Sequence, residues 1–210
     1  MSTTQNSAAE FELSEEQIRL LMRAARSFRD RVILELLYSC GLRRFEACAL
    51  DVPDIDFSNQ WLVIRDGKGS KSRIVPLSDD LANDLRALAG RRLRGPVLVS
   101  LRGERLSTRS VSYVVEQAGR IAGLRNPNPR RANVNPHLLR HSFARHFLRR
   151  GGRMHVLSQI LGHASIATTH AVYGTASTED VGKEYRRVFS GIRCAGSPPL
   201  PESSQSTRVD

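Results

Sequence analysis

Apolar residues recur along most of this chain at the three-to-four-residue spacing of a helix, and in one stretch they alternate instead. After an aperiodic polar start over residues 1–10, Ser14 followed by Gln17 forms a capping-box pattern ahead of Ile18, Leu20, Leu21 and Met22. That places the start of the ordered chain near residue 11. Val32, Ile33, Leu36 and Leu37 predict a second helix over 28–40, stopped by Gly41, and the stretch from Leu42 to Leu50 predicts a third. The period then changes. Residues 54–57, 61–64 and 73–76 read as three short strands, divided by the turns Ser58-Asn59-Gln60 and Gly67-Lys68-Gly69-Ser70-Lys71. They predict a small antiparallel sheet with a lysine at one hairpin tip.

Helical spacing returns over 79–89 through Leu81, Leu85 and Leu88, and ends in the basic loop Arg91-Arg92-Leu93-Arg94. Residues 97–99 suit a short extended piece. Ser107 or Thr108 then caps a helix carrying Val111, Val114, Val115, Ala118 and Ile121 as far as Gly123. Proline, arginine and asparagine dominate 124–135, which predicts an exposed, mobile loop. Asn135 is a good N-cap and Pro136 suits the first helical position, so a basic helix is expected from there to Gly151-Gly152. Two short helices follow, from Met154 to Leu161 and from Ser165 to Val172, and a last one spans about 178–190 with Val181, Tyr185, Val188 and Phe189. Tyr38, Tyr113 and Tyr185 sit in apolar helical patterns and are expected in the core. The expected fold is mainly α with a small three-stranded antiparallel β-sheet (α+β). One domain is expected over 11–192, flanked by disordered segments at 1–10 and 193–210, the latter rich in serine and proline.

Composition narrows the partner. The chain has 210 residues, 40% of them hydrophobic, which is enough for one good core. Its formal charge of +11 exceeds what solubility requires and comes mostly from arginine, so nucleic acid is the first partner to consider. Cys40, Cys48 and Cys194 lack metal-site spacing, and the first two lie in apolar helical surroundings where reduced, buried thiols are expected, as in a cytosol. No apolar run reaches membrane-spanning length and the start lacks signal-peptide features, so a cytoplasmic, nucleic-acid-associated protein is expected.

The candidate chemistry begins with His137 and Arg140, which share a face in the first turn of the basic helix. An imidazole beside a guanidinium at a helix start is a place for an anion. With His141, this pair is one of five separated signatures: Gly41-Leu42-Arg43 with Glu46, the run from Gly67 through Lys68, Lys71 and Arg73 to Leu77, His137 with Arg140 and His141, Leu161-Gly162-His163, and Tyr173. In that order the chain resembles the tyrosine recombinases, the phage integrase family, over roughly residues 11–190. Cutting a phosphodiester without metal or nucleotide requires charge neutralisation on the non-bridging oxygens, a nucleophile, and a proton for the leaving oxygen. Arginine forks match phosphate oxygens, which suits Arg43 and Arg140 as the clamp. Tyr173 is a poor nucleophile until held among such cations, since a tyrosine pKa is about 10.

The resemblance implies the remaining roles. Lys68 is the expected general acid for the 5′-hydroxyl, His137 an acid/base, His163 a hydrogen-bond donor to phosphate, and Glu46 a support that orients its neighbours. Arg44, Lys71, Arg73, Arg130 and Arg131 are expected contacts to the DNA backbone. The implied reaction is site-specific cleavage and rejoining of double-stranded DNA through a 3′-phosphotyrosyl intermediate, with no cofactor. A homo-oligomer is implied on DNA, a tetrameric synapse formed from monomers, with the apolar face of residues 178–190 suited to docking on a neighbouring subunit. Two rival readings are a type IB topoisomerase-like enzyme, which usually has lysine at the position of His137, and a non-catalytic DNA-binding relative. His137 and His141, four apart, could also bind zinc from one helix face, but no third ligand stands nearby in the sequence and Arg140 would repel a cation, so His141 is expected to be a structural hydrogen-bonding residue.

Overall fold

The computed structural model describes residues 11–65, 72–162 and 176–189. The two expected disordered ends, the lysine-bearing hairpin tip and the short helix expected after Ser165 lie outside the described residues. Eight α-helices and one sheet are described: α1 (Glu15–Arg23), α2 (Phe28–Tyr38), α3 (Arg44–Ala49), β1 (Ile55–Asp56), β2 (Trp61–Ile64), β3 (Arg73–Pro76), α4 (Asp79–Ala89), α5 (Thr108–Ile121), α6 (Pro136–Arg149), α7 (Met154–Leu161) and α8 (Thr178–Phe189). This is the expected α+β architecture.

Local chemistry sets most boundaries. At α1 the Ser14 hydroxyl accepts from the Gln17 amide at 3.2 Å while the Ser14 amide donates to the Gln17 side chain at 2.8 Å, a complete capping box. Ser27, Ser78, Ser107 and Asn135 cap α2, α4, α5 and α6, each side chain accepting from the amide three residues on. The sheet is antiparallel in the order β1-β2-β3, with Leu62 opposite Val75 and both fully buried. Residues 97–99 do not form a strand; they contribute only an isolated bridge from Val99 to Arg105. The third helix starts two residues later than expected, because Arg43 stays extended and serves as the residue before its first turn.

α2 is the centre of the fold. Every residue from Asp30 to Tyr38 is buried, and α1, α3, α4, α5 and α6 pack around it. Its apolar residues join those of the other helices and the sheet in one core. An aromatic cluster closes that core, with Phe143 of α6 stacked on Phe189 at 5.3 Å and Tyr185 on Phe189 at 5.2 Å. α8 therefore docks on its own chain. The Tyr185 hydroxyl donates to the Ser39 carbonyl at 3.1 Å, Arg150 donates to the Val188 carbonyl at 2.9 Å, and Glu184 pairs with Arg153. A Cβ at Gly182 would lie 2.8 Å from the Trp61 ring, so glycine is what allows α8 to seat on the sheet.

Two expectations give way to tertiary contacts. Tyr38 and Tyr185 are core residues, but Tyr113 is 56% exposed, on the outward side of α5. The loop before α6 is tied down. Asn126 donates to the Asn133 carbonyl at 3.0 Å and accepts from the Asn128 amide, Asn128 accepts from the Arg130 amide, and Val134 packs against Gly119. In the basic loop after α4, Arg92 turns inward and donates to the carbonyls of Leu88, Ala89, Pro96 and Val97. No helix among the described residues is long and apolar enough to cross a membrane.

Candidate active site

The site is assembled around one buried carboxylate. Gly41 ends the turn after α2 with φ +59°, and a Cβ there would meet Leu161 at 2.7 Å and Phe143 at 2.8 Å. Only glycine fits this close, left-handed position. The chain then enters α3 through Arg43, whose amide donates to Glu46 Oε2 at 2.7 Å and whose Nη1 donates to Glu46 Oε1 at 2.9 Å. The three-residue step from Arg43 to Glu46 places both on one side of the first turn. Glu46 is 4% exposed.

Two more guanidinium groups converge on it from distant parts of the chain. Arg73 of β3 donates through both terminal nitrogens to the two Glu46 oxygens, at 2.9 and 2.7 Å, and through Nε to the Ile160 carbonyl at 2.8 Å. Arg140, on the second turn of α6, lies 3.9 Å from Glu46 Oε2 and donates to the carbonyls of Gly41 and, at 2.7 Å, Leu161. The carbonyls of Ile160 and Leu161 belong to the last turn of α7, where the helix leaves acceptors unsatisfied and carries partial negative charge. Two arginines thus hold the end of α7 beside the carboxylate.

Burial works to raise the Glu46 pKa, but the bonds from Arg73 and then Arg43 outweigh it and hold the carboxyl below its ordinary value. Burial, reinforced by the nearby Arg43 charge, pulls Arg140 down to about 10, which still leaves it charged at neutral pH. Three guanidinium charges facing one carboxylate leave an excess of two positive charges. Arg43 directs one of its five N–H groups to Glu46, and its Nε and Nη2 have no partner among the described residues.

Arg43 and Arg140 face a cleft of about 710 Å³ between α3, α5, α6 and the loop before α6. His137 and His141 also line it, one helical turn apart on α6. Burial first, and then the charges of His141, Arg140, Arg131 and Arg43, hold the His137 pKa below its ordinary value. The neutral imidazole is favoured, a form that can accept a proton or donate a hydrogen bond. A cleft lined by four arginines and one carboxylate, Glu116, with a histidine that favours the neutral form at its edge, suits an anion and a proton transfer beside it.

Sequence reasoning brought Arg43, Glu46, His137 and Arg140 to one place, and the structure groups them. Arg44 and Arg131 stand on the wall of the same cleft, Arg44 exposed and donating to Ser112 at 3.3 Å. Arg130 is exposed but does not line the cleft. Arg73, expected at an outer DNA-facing surface, is turned inward with its side chain only 10% exposed. His141 is exposed on the cleft with no hydrogen bond to a described residue; the buried histidine that makes a structural hydrogen bond is His146, whose Nδ1 lies 2.9 Å from the Tyr38 hydroxyl. Lys68, Lys71, His163 and Tyr173 lie outside the described residues. Among the described residues no group of His, Cys, Asp or Glu could hold a metal ion. Sequence reasoning missed the carbonyls of Gly41, Ile160 and Leu161 that aim the arginines, because backbone acceptors leave no trace in residue identity beyond the glycines that permit the approach.

Known proteins share this arrangement of chain. Tyrosine recombinase XerA of Pyrococcus horikoshii is 37% identical over 172 residues, covering 80% of this chain and 57% of that one. Tyrosine recombinase XerD of Mycobacterium tuberculosis is 41% identical over 152 residues, covering 68% of this chain and 47% of that one. A crystal structure of XerA recombinase superimposes with a TM-score of 0.67 at 32% identity, over 84% of this chain and 64% of that one. The chain spans about half the length of the curated relatives it matches. The model of the phage integrase family matches residues 12–180, a span that holds Arg43, Glu46, Arg73, His137 and Arg140 together with Lys68, His163 and Tyr173, which lie outside the described residues. The chain belongs to the phage integrase family.

Proposed function

We propose that this chain is the catalytic part of a site-specific DNA recombinase, formed by residues 11–192, which cuts and rejoins double-stranded DNA through a 3′-phosphotyrosyl intermediate. The observation that carries the reading is the pair Arg43 and Arg140, brought from the start of α3 and from α6 to one cleft with an excess of positive charge. Forked donors from two directions suit the two non-bridging oxygens of a phosphodiester, whose charge grows as the fifth bond to phosphorus forms.

In this mechanism the Tyr173 oxygen attacks the scissile phosphorus and its proton passes to a neutral base, the role of His137. The bond from phosphorus to the 5′-oxygen breaks, and Lys68 supplies the proton that makes the 5′-hydroxyl. The phosphotyrosyl ester conserves the energy of the cut bond, so a 5′-hydroxyl from the same or another strand reverses the step with no cofactor. His163 donates to the phosphate. Arg44 and Arg131 on the cleft wall, Arg130 beside it and Lys71 near the hairpin tip meet the DNA backbone. Four copies assemble on paired sites from monomers, and the protein works in the cytoplasm on the nucleoid. Histidine at position 137, where type IB topoisomerases usually carry lysine, favours recombination over relaxation.

The test is a library of nicked duplexes with randomised sequence, in which the strand released on cleavage diffuses away and traps the protein. Denaturant-resistant protein–DNA adducts are expected with the unmodified chain and are lost in Tyr173→Phe, while duplex binding persists. No adduct from any library member, or equal adduct yield from Tyr173→Phe, overturns the reading.

A further inference from the structure

Of the three described arginines around Glu46, Arg73 alone does not line the cleft. Its side chain is buried behind the carboxylate, where it spends all three kinds of nitrogen on fixed acceptors: both oxygens of Glu46 and the Ile160 carbonyl. Gly162 packs directly on it, since a Cβ there would lie 2.7 Å from Arg73 Cδ. Among the described residues Arg73 therefore stands beside the site without opening on the cleft.

The charge count gives this placement a purpose. A carboxylate beside an anion site is unfavourable unless something neutralises it, because it both repels the anion and competes for the arginines that should hold it. If Arg73 were absent, the freed Glu46 oxygens could form forked pairs with Arg43, already 2.9 Å away, or with Arg140 at 3.9 Å. The clamp would then be neutralised from behind. With Arg73 present, Glu46 can still orient Arg43 through its amide and one nitrogen, while its charge is taken up from the far side.

We propose that Arg73 is a positioning residue for the anion site: it occupies Glu46 from behind, so that Arg43 and Arg140 keep their donors and their charge for a phosphate in the cleft. The proposal rests on reading those two arginines as the phosphate clamp. Arg73 touches neither substrate nor reacting atoms and acts only through Glu46. It differs from a role as a DNA contact, which would need an exposed guanidinium.

The experiment uses the full chain labelled with 15N and titrated with inorganic phosphate at low ionic strength, following the arginine Nε–Hε resonances. Removing one nearby charge and releasing Glu46 in Arg73→Gln is expected to weaken phosphate binding about tenfold. Adding Glu46→Gln to that variant removes one carboxylate as well and brings the local excess back to two positive charges, so most of the lost affinity should return. A direct phosphate contact or a merely structural role predicts no such rescue, and a double variant as weak as the single one overturns the proposal. So does an unchanged affinity in Arg73→Gln. Circular dichroism and melting curves check the fold. If the glutamine variant does not fold, Arg73→Lys keeps the charge and should stay within about threefold of the unmodified chain, whereas a tenfold loss there counts against the proposal. An unmodified chain that does not respond to phosphate sinks the clamp itself, whereas normal binding with indifferent variants sinks only the role of Arg73.

Discussion

Replacing Gly41 by alanine tests whether the turn after α2 is what brings the clamp together. Two costs can be separated there. The backbone sits at φ +59°, where a side chain costs about 1–2 kcal/mol. The added Cβ would also lie 2.7 Å from Leu161 and 2.8 Å from Phe143, both buried in the core, so relief requires the core or the turn to move, at about 1–3 kcal/mol. The total is about 2–5 kcal/mol, and for a chain of this size each kcal/mol lowers the melting temperature by about 2–4 °C. Gly123 is the matched control. It has φ +67° with nothing within 4 Å of its would-be Cβ, so Gly123→Ala carries only the backbone cost. Urea denaturation followed by circular dichroism should place Gly41→Ala at least about 1 kcal/mol below Gly123→Ala. Because the Gly41 carbonyl accepts from Arg140, the same variant should weaken phosphate binding while Gly123→Ala does not. Equal stabilities for the two variants would refute the close-packing argument.

Three further outcomes follow from Glu35, His137 and Phe189. Glu35 is pushed up to about 7, first by burial and then by Asp84 and Asp80, against the opposing pull of Arg31. A carboxyl raised in the folded state favours folding most below its unfolded pKa and loses that contribution as pH rises through 7, so Glu35→Gln should add on the order of 2–3 kcal/mol at pH 8 and flatten the stability profile between about pH 4.5 and 7; no gain at pH 8 would contradict this. His137 should titrate by NMR below the ordinary histidine midpoint of about 6.5, and Arg131→Gln, which removes one of the depressing charges, should raise that midpoint; a midpoint above 6.5 in the unmodified chain would be inconsistent with the cleft as described. Phe189→Ala removes the ring stacked between Phe143 and Tyr185 and should cost about 3–5 kcal/mol in urea unfolding of dilute monomer, whereas a cost under about 1 kcal/mol would mean that α8 is not held by its own core.

What the residues determined by themselves was local and periodic. Helix starts were legible because serine and asparagine caps act within three residues, and the small sheet was legible from alternation and turn residues. The grouping of Arg43, Glu46, His137 and Arg140 was also readable, through short spacings within single helix turns and a resemblance in motif order. Direction and burial were not. Arg73 looks in the sequence like any basic strand residue. Only the tertiary structure turns it inward, because Glu46 and the Ile160 carbonyl wait there at 2.7–2.9 Å and a buried carboxylate must be paired. Tyr113 repeats with apolar neighbours on α5 yet lies outside, since a helical period defines a stripe and not its edges. The apolar face of α8 could have suited either its own core or a neighbour. Its aromatic stack on α6 decided the matter in this chain, because burial rewards whichever apolar surface is in reach, and reach is a property of the fold.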